Sequence, residues 1–349
     1  MKRKILVILM ALLLAISLVA SGCPAPAPVA PPPVAPPPVP ETITMSTYLT
    51  PSYEDLYLCF TNFQKEINER AEGKVVVDFH HSGTLFKAKE QIGGLLDGTA
   101  DIVIGPTIYI QSTYPILGFL SLPFIWEDVE HFGRAVEIDG PLDKLINSEM
   151  EKGNIYMIMG AGDTQEHLWL KKVARQPADL KGRKIRCSGL LASKEVESYG
   201  AVPISMPSAE LYLALERGIV EGAFASWMTS YARTLYEVTD YVILAPWHYY
   251  GSMDLYFRAD WWNGLPKDIR DIILEAGRHY QSDMLRETPK YSTEVYMPKA
   301  KLAGVEFIEL SPAQCEAFKE QAAGVWDWWA EEVGKEKGEK IIELAQAAK

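Results

Sequence analysis

The chain is poor in cysteine and lacks the short motifs of common catalytic and metal sites. It has four cysteines in 349 residues, and Cys59, Cys187 and Cys315 are far apart along the chain. Their spacing excludes a complete disulfide framework and any CxxC metal site, so buried free thiols are expected. Without an HExxH, GxSxG, GxxxxGK or calcium-loop pattern, no metal or cofactor is expected either.

Basic residues are also outnumbered by acidic residues. Lysine and arginine total 34 against 46 aspartates and glutamates, which gives a formal net charge of −12. This balance argues against nucleic acid as a partner. A binding site for an anion would have to be made basic locally.

The amino terminus has no apolar run as long as the ~20 residues that a membrane-spanning helix needs. Lys2, Arg3 and Lys4 precede a shorter apolar run, and small residues follow it. This pattern favours a signal peptide over residues 1–22 rather than a transmembrane anchor. The tetrad ASGC resembles a bacterial lipobox, which predicts lipidation of Cys23 and an extracytoplasmic, membrane-anchored protein.

Residues 23–40 are uncharged, and the unit APPPV recurs in them. This stretch has too little apolar bulk for a core, so it predicts a polyproline II linker. At ~3.1 Å per residue such a linker would hold the folded part tens of ångströms from a membrane surface.

The rest of the chain alternates between strand and helix patterns, which predicts an α/β fold with parallel strands and crossover helices. Its length and pattern indicate two lobes with more than one crossing between them. We assign 41–163 plus 251–291 to lobe I and 164–250 plus 292–349 to lobe II. Pro266 begins a long helical pattern that extends, with a kink, to about Ala300.

The segment LKGRKIRCSGL places Arg186 at the carboxyl end of a predicted strand, where ligands bind in open α/β sheets. An arginine there could receive a carboxylate in a bidentate pair. Alternatively, Lys184 and Arg186 share a solvated face of the strand. The residues alone leave both possibilities open.

Four segments in order resemble the solute-binding proteins of TRAP (tripartite ATP-independent periplasmic) transporters, in the dicarboxylate-binding branch. They are HHSGTLFKAKEQIGGLLDGTADIVIG, LPFIWED, ADLKGRKIRCSG and YGAVPISMPSAELYLALERGIVEG. The resemblance implies a two-lobed periplasmic-binding-protein fold with a ligand cleft between the lobes and a long bridging helix. It also implies that Arg186 anchors a carboxylate and that TRAP membrane subunits receive the ligand for ion-coupled uptake.

Further candidates for the cleft lie in segments that would face it. Packing in the core is the alternative role for each aromatic one. The candidate ligand contacts besides Arg186 are Trp227, Glu166, Phe224, Tyr48, Tyr231, Met206, Trp169, Phe86 and His248.

The same residues also indicate the chemical class of the ligand. One anchoring arginine implies one essential carboxylate, and Glu166 stands near the position where the sialic-acid branch has a second arginine. The aromatic candidates suggest an apolar wall. We therefore expect a small monocarboxylate with an apolar or aromatic body, ahead of a C4-dicarboxylate or a sugar acid.

Two other functions use the same residues. A lipoprotein enzyme could employ Glu166, His167 and Arg186 in acid–base chemistry, and a tethered receptor for a sensor would bind its ligand in the same cleft. Turnover of a bound carboxylate would favour the enzyme. Neighbouring genes for membrane subunits would favour transport over the receptor, so we expect a transport protein and not an enzyme.

The lipobox generates the first prediction. Wild-type protein expressed in a bacterial host should incorporate labelled fatty acid, and Cys23→Ala should not, because the thiol is the acylated group. Equal release of both proteins from membranes would contradict lipid anchorage.

Overall fold

The computed structural model describes residues 42–162, 164–245, 247 and 252–349. The predicted signal peptide, the proline-rich linker, Cys23 and His248 lie outside the described residues. In the described part, no helix has both the length and the apolar character needed to cross a membrane.

The first lobe is built on a five-stranded sheet with the strand order β2-β1-β3-β10-β4. β1 pairs in parallel with β2 and β3, whereas β10 is antiparallel to both its neighbours, β3 and β4. Its strands are β1 (Thr42–Thr47), β2 (Val76–His80), β3 (Ile102–Gly105), β4 (Ile155–Gly160) and β10 (Ser252–Arg258). Its helices are α1 (Glu54–Arg70), α2 (Gln91–Leu96), α3 (Val129–Ala135) and α4 (Pro141–Met150).

The second lobe is built on a six-stranded sheet with the strand order β11-β9-β5-β8-β6-β7. β6 pairs in parallel with β7 and β8, and β5 is antiparallel to β8 and β9. Its strands are β5 (Glu166–Leu170), β6 (Lys184–Cys187), β7 (Val202–Ser205), β8 (Gly222–Ser226), β9 (Tyr241–Leu244) and β11 (Glu306–Glu309). Its helices are α5 (Leu190–Ser198), α6 (Leu211–Glu216) and α7 (Trp227–Ala232).

A long helical segment bridges the lobes, as expected. After the short helix α8 (Ala259–Gly264), Pro266 caps α9 (Lys267–Tyr291), a π-helical turn follows, and α10 (Met297–Leu302) ends the segment. Tyr280 of α9 contacts aromatic rings of α1 in the first lobe. Tyr296, in the π-helical turn, lies 4.7 Å from the ring of Tyr231 in the second lobe.

The carboxyl-terminal helices divide between the lobes. α11 (Pro312–Ala322) packs Phe318 against Tyr199 and Trp247 of the second lobe. α13 (Lys335–Ala347) packs on the first lobe. α12 (Gly324–Val333) contacts both lobes: the Nε1–H of Trp329 donates to Pro115 O of the first lobe at 2.8 Å, and the Trp328 ring lies below Lys194 of α5.

This packing of α12 and α13 differs from the expected assignment of residues 292–349 to the second lobe. The physical reason is that both helices carry an apolar stripe, and these stripes complete the core around Leu117 and Phe132 of the first lobe. An amphipathic pattern predicts that a helix packs but does not indicate on which lobe. The stripes consist of Val325, Trp329, Ile341 and Ala345.

Cys59 and Cys187 are buried and free, in agreement with the expected buried thiols, and Cys315 is partly buried. Burial raises the pKa of the Cys187 thiol to about 12. These two buried thiols are therefore protonated at neutral pH and inert packing groups.

The packing of α12 generates a stability prediction. Trp329→Ala should lower the free energy of unfolding by roughly 3–5 kcal/mol, because it leaves a cavity and an unpaired carbonyl. Trp328→Ala is the matched control and should cost less, since Trp328 is only partly buried and lies below Lys194. Urea unfolding followed by circular dichroism measures both, and equal losses would contradict the packing of Trp329 on the first lobe.

Candidate ligand-binding site

A small chamber lies where strand ends of the two sheets face each other. Tyr48 follows β1 and Pro106 follows β3 in the first lobe, while Arg186 lies near the carboxyl end of β6 and Ser226 ends β8 in the second. The chamber has a volume of about 40 Å³, which is room for a few water molecules. Because it lies at these strand ends, the chamber occupies the position where open α/β sheets bind ligands.

Arg186 is the cation of this chamber, and its side chain is buried with only 1% of the residue exposed. Its Nε–H donates to Met206 O at 3.0 Å, and one terminal nitrogen donates to Phe224 O at 2.8 Å. Met206 follows β7, and Phe224 lies in β8, so the two strands that flank β6 hold the guanidinium in place. The solvated-face alternative for Arg186 is excluded, because Lys184 is exposed and Arg186 is not.

Glu166 begins β5 and lines the same chamber. Its Oε1 accepts a hydrogen bond from the Ser188 hydroxyl at 2.9 Å. The same oxygen is 3.9 Å from a terminal nitrogen of Arg186, which is within ion-pair range but too far for a direct hydrogen bond. The chamber thus contains one positive and one negative side chain side by side.

Tyrosines of the first lobe face these charges. Tyr48 and Tyr109 have ring centroids 5.8 Å apart, and both line the chamber together with Tyr53. Burial raises the pKa of the Tyr48 phenol well above its usual value, and Tyr109 adds to this rise. Tyr48 is therefore a neutral hydrogen-bonding group at physiological pH.

Direct contacts close the lobes over the chamber. The Ser208 backbone N–H donates to the Tyr109 hydroxyl at 3.1 Å, and the Tyr53 and Ser208 hydroxyls are 3.3 Å apart. Gly189 lies against the first lobe so closely that a Cβ at this position would be 2.4 Å from Ile108 O. A residue larger than glycine at position 189 would force the lobes apart.

Three aromatic residues predicted to contact ligand lie in the core of the second lobe instead of the chamber lining. Trp169 is fully buried and donates its Nε1–H to Ala225 O at 2.9 Å. Phe224 is fully buried and packs against Trp247. Trp227 packs between Trp169 and other aromatic rings and is 4% exposed. Their size and apolarity suit core packing, which residue type alone does not distinguish from a cleft wall.

The remaining predicted contacts also lie outside the chamber lining. Tyr231 donates its hydroxyl to Glu54 at 3.2 Å, across the two lobes. The Phe86 ring packs over Gly94 in the first lobe. Met206 contributes its backbone carbonyl to Arg186, as described above.

Most of the polar lining was not predicted from the sequence. These residues share a hydroxyl group and lie at the end of a strand or within a few residues of one, a position that could have indicated them. They are Tyr109, Thr164, Ser188, Ser208, Ser226 and Thr229. The apolar lining comes from Leu49, Pro106, Ile108, Met228 and Met253.

Comparison with protein families gives a match over most of the chain. The model for bacterial extracellular solute-binding protein family 7 (DctP) matches residues 45–332.

Within the described residues, no group of three or more histidine, cysteine, aspartate or glutamate side chains could hold a metal ion.

Two relatives of known name are similar to the chain along most of their length. The C4-dicarboxylate-binding periplasmic protein DctP of Vibrio cholerae is 26% identical over 82% of this chain and 84% of its own. The 2,3-diketo-L-gulonate-binding periplasmic protein YiaO of Escherichia coli is 24% identical over 75% of this chain and 79% of its own.

Solved structures share the fold. A TRAP periplasmic solute-binding protein from Haemophilus influenzae superposes with a TM-score of 0.79 at 22% identity, covering 88% of this chain and 99% of its own. One from Shewanella oneidensis gives 0.77 at 21% identity, covering 89% and 99%. The family match, the two lobes and the chamber at the strand ends lead to one conclusion. The chain belongs to bacterial extracellular solute-binding protein family 7, the solute-binding proteins of TRAP transporters.

Proposed function

We propose that this protein captures a small organic carboxylate at Arg186 and delivers it to TRAP membrane subunits for ion-coupled uptake. The observation that carries the proposal is the buried guanidinium of Arg186 in a chamber between the lobes. Members of this family are extracytoplasmic solute-binding receptors and not enzymes. A tether through lipidated Cys23 would keep the receptor near its membrane subunits.

The electrostatics of the chamber support an anionic ligand. Burying a guanidinium is costly unless hydrogen bonds and a counter-charge compensate for lost water. Two backbone carbonyls orient Arg186, and Oε1 of Glu166, which accepts from the Ser188 hydroxyl, lies 3.9 Å from one of its terminal nitrogens. A ligand carboxylate would add charge-assisted hydrogen bonds to the guanidinium in the low-dielectric interior.

Ligands of the related structures are consistent with this chemistry. The Haemophilus influenzae protein holds L-gulonate, and the Shewanella oneidensis protein holds succinate. A further neighbour, from Advenella mimigardefordensis, holds galactonate. All three ligands are organic acids, and two of them carry several hydroxyl groups.

For this chain we propose a hydroxylated carboxylate rather than an acid with an aromatic body. The preference for an aromatic body depended on a wall that included Trp169, Phe224 and Trp227, and these residues pack in the core. The chamber is lined instead by hydroxyl groups and by tyrosines. Hydroxyl groups placed around an anchored carboxylate favour a ligand with several hydrogen-bonding groups.

Replacing Arg186 tests the anchor. Arg186→Gln should weaken binding of the carboxylate ligand by ~2–4 kcal/mol, because the charge-assisted hydrogen bonds are lost. Isothermal titration calorimetry measures the loss. Lys184→Gln is the matched control, since it removes one positive charge from the same strand at an exposed position. Wild-type affinity in a folded Arg186→Gln variant would contradict the proposal.

Screening carboxylates by thermal shift tests the ligand class. A ligand at 100 times its dissociation constant should add ~2.7 kcal/mol of stability. We expect sugar acids and hydroxy acids to stabilise the protein and the corresponding uncharged sugars to leave it unchanged. Stabilisation by aromatic or branched monocarboxylates alone would overturn the hydroxylated class while leaving carboxylate transport intact.

A further inference from the structure

A second, larger cavity opens at the mouth of the cleft. It has a volume of about 410 Å³ and is lined by both lobes, with the loop around Ser82–Glu90 on one side and Pro207, Glu210 and Arg233 on the other. Tyr48 lines this outer chamber and the inner chamber that contains Arg186. The two chambers therefore meet at one tyrosine.

The outer chamber is basic although the protein is acidic. Lys87, Lys89 and Arg233 line it together with two acids, Glu90 and Glu210. Glu90 is already engaged, because its carboxylate accepts the Lys87 backbone N–H at 2.8 Å. The balance is one positive charge in a chain with a net charge of −12. An anion is attracted here by local charge and not by the overall field.

Arg233 is the cation that the fold positions in this chamber. Its guanidinium lies over the Tyr53 ring, 5.4 Å from the ring centroid. Within the described part of the chain, its Nε is buried and has no hydrogen-bond partner. A buried donor without an acceptor is destabilising, so a ligand oxygen that reached this nitrogen would be stabilising.

Arg233 is also close to the junction of the chambers. Burial raises the pKa of the Tyr48 phenol, and the charge of Arg233 acts against this rise. Tyr53, below the guanidinium, lines the inner chamber. Two tyrosines of the inner chamber, Tyr48 and Tyr53, are therefore also neighbours of Arg233.

We propose that Arg233 receives a second carboxylate of the ligand whose first carboxylate is bound at Arg186. The inference rests on the proposed function and makes the substrate class more specific: an extended, hydroxylated dicarboxylate that spans both chambers. The inner chamber is too small for the whole of such an acid, and Glu166 makes it unfavourable for a second anion. The outer chamber has the volume and the unsatisfied donor.

Matched acids that differ only in the second carboxylate test the inference. Glucarate is compared with gluconate, and galactarate with galactonate, by calorimetry on the purified protein. In wild type, the diacid of at least one pair should bind ten times more tightly or better. Arg233→Gln should remove this advantage and leave the affinity for the monoacid unchanged. Arg217→Gln, at an exposed arginine after α6, is the charge-matched control.

Other results would contradict either the second-carboxylate site or the proposed function. Equal affinities within both pairs in wild type, or an equal loss for monoacid and diacid in Arg233→Gln, would overturn the second-carboxylate site. Arg233→Lys guards against misfolding, since it keeps the charge and should retain part of the diacid advantage. If binding of the monoacids does not depend on Arg186, the proposed function itself fails, which is distinct from a failure at Arg233 alone.

Discussion

The site depends on the burial of one guanidinium, that of Arg186, at the end of a strand. A buried cation must be hydrogen-bonded, and the strand order β8-β6-β7 places a carbonyl on each side of it. Phe224 and Met206 therefore matter through their backbone oxygens. The orientation of the guanidinium is fixed by the sheet itself, so ligand need not pay for ordering a flexible side chain.

The two lobes also meet beside the chamber that contains Arg186. The contacts of Ser208 with Tyr109 and Tyr53 join the lobes beside the chamber, and Gly189 allows the second lobe to approach Ile108. A ligand held at Arg186 would also touch the tyrosines of the first lobe. Such a ligand would therefore bind the closed form of the protein more tightly than an open form. This difference in affinity would shift the equilibrium between open and closed lobes towards closure.

Much of the fold could be predicted from the sequence, because alternating strand and helix patterns specify parallel strands and crossovers. The expectation of parallel pairing was wrong for β5 and β10, which are antiparallel to their neighbours. Strand ends also indicated Tyr48 and Arg186, and the family resemblance indicated Glu166; all three line the chamber. The sequence could not decide whether the aromatic candidates pack in the core or contact ligand, since tryptophan suits a core as well as a cleft. The hydroxyl lining was missed because serine and threonine in turns are ordinary turn residues. Their place in the chamber lining becomes apparent only when segments that are distant in sequence meet in the fold.

Under the proposed function, Glu166 would make the chamber selective among carboxylates. A simple carboxylate placed against Arg186 also faces the Glu166 carboxylate, and like charges at close range repel in a poorly hydrated site. Ser188 donates to one oxygen of Glu166 and so disperses part of that charge. A hydroxyl group next to the ligand carboxylate could donate to Glu166 while the carboxylate binds Arg186, which converts a repulsion into a hydrogen bond. An acid without that hydroxyl would lack this hydrogen bond, so the pair of opposite charges would favour a ligand with a donor beside the anion.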